Sequence, residues 1–201
     1  MGRVSLTASL ITAVLLTSQA MAQAVPTRVV GTISTMNGTA LMLKTLAGED
    51  VAINVPDPTR VTALANRTLV DIKPGDFVGS AALLGKDGHL HAQEVHIFPE
   101  AMRGTGEGHR PMAGIDQTMT NAAVAGLAAA PDGKVLTLKY PGGQQEIEVG
   151  PEARIVAFIP GDRSLLKPGA MVAVSAMKGT DGTLTATSVQ AEKDGVKPLV
   201  F

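Results

Sequence analysis

One pattern occurs twice in this chain. VVGTISTMNGTALMLKTLAG from Val29 aligns with VAGLAAAPDGKVLTLKYPGG from Val124 at a separation of 95 residues. Gly31 falls on Gly126, Asn37-Gly38 on Asp132-Gly133, Leu41 on Leu136, and Leu43 on Leu138. The separation then drops to 94: Ile53 and Val55 meet Ile147 and Val149, and Arg60-Val61 meet Arg154-Ile155. LVDIKPGDFV meets RSLLKPGAMV, and DGHLHAQEV from Asp87 meets DGTLTATSV from Asp181. Agreement at turns and apolar positions over roughly seventy residues marks a duplication, and it restricts the fold to one that a single unit can adopt twice.

Each copy reads as β-structure. TALMLK and KVLTLK alternate apolar and polar residues after Asn-Gly and Asp-Gly turns, as strands with one buried face do. DVAINV and QEIEV keep that period, and the Lys-Pro-Gly turns at Lys73 and Lys167 lead into DFVGSAALL and MVAVSAM. TNAAVAGLAAA permits a short helical start, but Pro131-Asp132-Gly133 stops it, and its alignment with the first strand makes it β from Val124 onward. The expected fold is all-β: two tandem small antiparallel barrels, residues 28–97 and 122–192, joined by an ordered connector at 98–121 and followed by a tail at 193–201. Closure would remove adhesive sheet edges.

The repeated Gly-strand-turn pattern, the Lys-Pro-Gly turn and the final Asp-Gly-x-Leu-x-Ala strand resemble the bacterial family catalogued as the domain of unknown function numbered 5666, usually found in exported proteins. The resemblance covers both repeats but neither the first residues nor the connector. It implies small barrels similar in appearance to oligonucleotide-binding folds, and it brings no catalytic residues. A fold likeness does not carry nucleic-acid binding with it.

The first residues point to export. Arg3 precedes the uncharged run Val4–Thr17, and Ala20-Met21-Ala22 supplies small residues for cleavage before Gln23, so residues 1–22 read as a signal peptide. That run is too short for an ordinary membrane span. The expected location is the periplasm or the medium. The absence of cysteine excludes thiolate chemistry and a lipid-anchored cysteine. With 17 Lys and Arg against 18 Asp and Glu, the chain offers no broad field for nucleic acid, and four Phe and one Tyr are too few for a stacking platform.

The chemistry-bearing residues are few. All four histidines, His89, His91, His96 and His109, lie in or just beyond the first copy. Strand alternation puts His89 and His91 on one face, where the second copy has Thr183 and Thr185. His96 falls on the opposite face of a regular strand, and a bulge before Val95 would return it to the outer face. As ligands, with Glu94, Glu107, Met102 or Met112 in support, these imidazoles and carboxylates suit zinc, nickel or oxidised copper, and the thioethers suit reduced copper. The plain alternative is a set of solvated surface histidines.

Gly104, Gly106 and Gly108 lack the helix and lysine of a phosphate loop and read as a structural connector. In that connector Phe98, Pro99 and Met102 are expected to dock at the end of the first barrel. Arg103, Glu107, His109 and Arg110 are expected to form one exposed patch, which with Phe98 and Met102 makes a candidate partner-binding surface. No Gly-x-Ser-x-Gly, His-Glu-x-x-His or glycosidase carboxylate pair is present. The expected function is therefore a non-enzymatic exported structural or binding module of the bacterial envelope, with an envelope protein as partner. The alternative is a periplasmic metal-handling accessory using the histidines.

Overall fold

A computed structural model describes residues 27–198 as an all-β protein with only three single-turn 3-10 segments. The proposed signal peptide, residues 1–22, and the last residues of the tail lie outside the described residues. The first half comprises β1 (Thr27–Asn37), β2 (Ala40–Thr45), β3 (Asp50–Asn54), β4 (Arg60–Asn66), β5 (Phe77–Leu84) and β6 (Leu90–Ile97). The connector contributes β7 (Gly108–Pro111). The second half comprises β8 (Gln117–Ala130), β9 (Gly133–Tyr140), β10 (Gly143–Val149), β11 (Arg154–Pro160), β12 (Met171–Lys178) and β13 (Leu184–Ala191). Strand β8 begins seven residues before Val124, because β7 pairs with its first residues while β5 pairs along its other edge.

Two rings of pairing result, and neither belongs to one repeat. In the first, β1 pairs with β2, β2 with β3, β3 with β13, β13 with β12, and β12 with β1. In the second, β8 pairs with β9, β9 with β10, β10 with β6, β6 with β5, and β5 with β8. The segments 28–97 and 122–192 therefore do not close separately, and the expected pair of contiguous barrels is corrected to an exchange of halves between repeats. The reason is physical equivalence. Strands β5 and β12 hold matching places in the two copies, so β1 can complete its ring with either one and bury the same face.

Strands β4 and β11 carry the chain between the rings. They run antiparallel, with Leu64 opposite Phe158, its own counterpart at the 94-residue separation. An approximate two-fold axis must therefore pass beside that pair. β4 also lies parallel to β13, and β11 parallel to β6.

Each ring has its own core. One buries Ile33, Leu41, Leu43, Ile53, Val55, Val172, Val174 and Val189; the other buries Val78, Val95, Val124, Leu136, Leu138, Ile147 and Val149. Each such aliphatic side chain contributes about 1.5–3 kcal/mol on leaving water. The alternation read from the sequence places these residues inward, as expected for strands.

The first strand of the second copy departs from the sequence alignment. Ile33 lies opposite Leu43, while Val124 lies opposite Leu138, the counterpart of Leu43. Likewise Gly31 lies opposite Val172, while Ala122 lies opposite Val78, the counterpart of Val172. The structural counterpart of Gly31 is thus Ala122, not Gly126, a register difference of four residues. An even slip leaves every side chain on the same face, so alternation alone could not expose it.

Candidate functional site

β-Bulges set up the site. Across the β5–β6 pair, Ala81 faces Glu94 but Ala82 faces Ala92, leaving Gln93 extra. The bulge reverses alternation, so Val95 points into the core and Glu94 and His96 point outward, as the bulged alternative for His96 required. The same device recurs at Thr187 in β13, placing Ser188 and Gln190 at the corresponding outward positions.

Here outward does not mean exposed, because that face meets the other ring. His96 is only 4% accessible and Glu94 2%. The His96 ring lies edge-on to Phe98 and Phe158, with centroids 5.1 and 5.5 Å away, and these two phenyl rings stack at 4.9 Å. Gly79 makes this possible. A Cβ there would overlap His96 Nε2 and Asn121 Oδ1, so glycine lets the imidazole lie against β5.

A cleft of about 430 Å³ opens between the rings, within the range of small-molecule sites. Its basic lining is Arg28, Arg60 and Arg110, and its apolar lining includes Phe98, Phe158, Met102, Met112 and Met119. Thr62, Ser175, Ser188, Gln190, His96 and Asn121 supply polar groups, while no Asp or Glu lines it. Three buried polar atoms at or beside it lack a hydrogen-bond partner: His96 Nδ1, Asn121 Oδ1 and Glu94 Oε1.

An ion pair between a buried carboxylate and a partly exposed guanidinium lies beside it. Arg154 Nη1 donates to Glu94 Oε2 at 3.0 Å, and Arg154 Nη2 donates to the carbonyl of Lys197 at 2.6 Å. Glu94 Oε1 sits 3.7 Å from His96 Nδ1. Burial lowers the Arg28 pKa below the usual guanidinium range, and the charge of Glu94 partly opposes that effect.

The four histidines occupy three settings, with only His89 and His91 together. His89 and His91 approach Glu148 at 3.8 and 3.6 Å, and His91 Nε2 lies 2.9 Å from Asp87 Oδ2. The backbone N–H of His89 and then the His91 ring hold the Asp87 carboxyl below its ordinary range. His109 instead places Nδ1 2.8 Å from Thr120 Oγ1, and partial burial lowers its pKa. Thr120 and Asn121 alternate in β8, so His109 and the cleft-facing Asn121 serve opposite faces. Among the described residues, no group of three or more His, Cys, Asp and Glu side chains is arranged to hold a metal ion.

The connector carries a 3-10 turn at Glu100–Met102 and strand β7, and its charged residues diverge. Phe98 donates its N–H to Phe77 O at 2.9 Å and buries its ring in the cleft wall, where Met102 also lies. Arg103 makes a paired contact with Glu100, donates to Gly75 O at 3.0 Å, and sits over the Phe77 ring. Arg110 reaches back to Gly106 O at 2.9 Å and faces the cleft, whereas Glu107 is exposed. Gly104, Gly106 and Gly108 all have positive φ, which fits the structural role expected for them.

Sequence reading found His96, Phe98, Met102, Met112 and Arg110 but did not join them to Arg28, Arg60, Asn121 or Phe158. A signal for part of this was present: Arg60 and Arg154 align, yet the Glu94 of one copy is Ser188 in the other. No family model, curated protein or solved structure matches the chain. No helix among the described residues is long and apolar enough to cross a membrane.

Proposed function

We propose that this chain is a non-enzymatic exported binding module whose ligand is a small molecule held in the cleft between the rings. The observation carrying this reading is the conjunction of a 430 Å³ concavity, a Phe-Met wall and a rim of arginines at one place. The leader-like run at residues 4–17 supports export, and the resemblance to the exported barrel family agrees with it.

Metal handling is the second reading, favoured by the approach of His89 and His91 to one carboxylate, Glu148. One experiment separates the two. Purified protein is incubated with envelope small-molecule extract or with zinc or copper, then followed by native mass spectrometry and methionine oxidation footprinting. The cleft reading expects a small organic adduct and protection of Met102, Met112 and Met119. Absence of both defeats it, and a zinc- or copper-dependent rise in Tm that disappears in His89→Ala/His91→Ala puts metal handling first.

A further inference from the structure

The approximate two-fold axis pairs positions across the cleft, and one pair is incomplete. Arg154 in β11 lies beside Glu94 in β6, in register and in ionic contact. At the related position, Arg60 in β4 lies beside Ser188 in β13. The guanidinium is present in both copies and the carboxylate in only one. Arg60 lines the cleft, and among the described residues no hydrogen bond or ion pair holds it. Arg28 and Arg110 line the same cleft; among the described residues no acidic side chain lines it, and the charge of Glu94 acts on Arg28 from beside it.

We propose that the ligand is a monocarboxylate with an apolar body, and that its carboxylate takes, against Arg60, the place Glu94 takes against Arg154. This rests on the cleft being a small-molecule site, as proposed above. A planar guanidinium matches a carboxylate through two parallel N–H donors, so a single uncommitted arginine is suited to one such group. Ser188 adds a hydroxyl donor where the longer glutamate would stand, which leaves room for the incoming group. Arg110, which lines the same cleft, adds a second positive charge beside it. Behind the charged rim, Met102, Met112 and Met119 form an adaptable wall, and Phe98 and Phe158 a rigid one. An aliphatic chain or a small ring can lie against both.

The test uses the full mature chain with methionine methyl groups labelled with carbon-13. Decanoate and decanol serve as probes matched in length, and NMR titration follows Met102, Met112 and Met119, assigned by single Met→Leu variants. Decanoate is expected to shift these methyl signals saturably, with decanol at least about tenfold weaker. Arg60→Gln alters an exposed position and should weaken decanoate about tenfold or more without altering the fold, whereas Arg67→Gln should leave binding unchanged. Ser188→Glu would supply the missing carboxylate internally and should abolish decanoate binding while raising Tm. Equal binding of decanol and decanoate, or decanoate binding unaffected by Arg60→Gln, overturns the carboxylate assignment but leaves the cleft as a small-molecule site. No shift with either probe overturns both.

Discussion

His109 is the residue whose protonation the fold resists most plainly. Its Nδ1 faces Thr120 Oγ1, and burial holds its pKa below the ordinary 6.5. The unfolded chain therefore binds a proton more readily than the folded one. The resulting stability is fully present above about pH 6.5 and is lost as pH falls through the lower folded value. Thermal unfolding from pH 7.5 to 5 should show Tm falling on acidification, and His109→Gln should flatten the part of that slope below pH 6.5. An unchanged slope would refute the assignment to His109. At the same scale, the duplication leaves positions chemically unequal: Glu94 stands where the second copy has Ser188, and His96 where it has Gln190. Those inequalities, more than the shared residues, mark where the cleft departs from a repeated scaffold.

At the scale of elements, two glycines that coincide in the sequence have different duties. A Cβ on Gly31 would overlap the Lys44 carbonyl oxygen, within the β1–β2 hairpin, where backbone cannot easily yield. A Cβ on Gly126 would meet nothing closer than Thr137 at 3.9 Å, and no positive φ restricts the position. Gly31→Ala should therefore destabilise the protein by about 1–3 kcal/mol, whereas Gly126→Ala should be neutral or stabilise by up to about 1 kcal/mol. Chemical denaturation of the two variants measures this, and equal losses would contradict the four-residue register difference. The bulges in β6 and β13 are the other decisive local features. Each turns a strand end so that its outer residues face the opposite ring rather than bulk solvent, and this is why His96 and Glu94 are buried although their strand reads as amphipathic.

For the whole molecule, the exchange of halves makes the two rings interdependent. Val30 in β1 lies opposite Ala173 in β12, far away in sequence but adjacent across an antiparallel pair. The native chain has no cysteine to interfere, and neighbouring antiparallel Cα atoms lie at separations a disulfide can span. Val30→Cys/Ala173→Cys should therefore cross-link within one chain on oxidation, with altered mobility on a non-reducing gel and a raised Tm. Contiguous closure of each repeat would put β1 beside β5 instead and leave this pair reduced. Pairings over such sequence separations also predict slow folding compared with a protein of local contacts.

The sequence by itself determined the duplication, the all-β class, the hairpin turns and the inward faces of most strands. These are local properties: period-two alternation sets a strand's buried face, and Gly, Pro, Asn and Asp at turns set where it reverses. It also held the candidate residues of the connector, including the docking of Phe98 and the bulge that governs His96. Strands β4 and β11 were less legible, since Arg60-Val61 and Arg154-Ile155 stood out as matches without a pairing to interpret them. Tertiary structure alone decided which strand closes which ring, because equivalent repeats offer equivalent partners and the choice is made over the whole chain. It also decided the register of β8 and the convergence of Arg28, Arg60, His96 and Phe158, which lie on four different strands. A cleft between two rings is a product of how their outer faces meet, and no periodicity along one strand records that encounter.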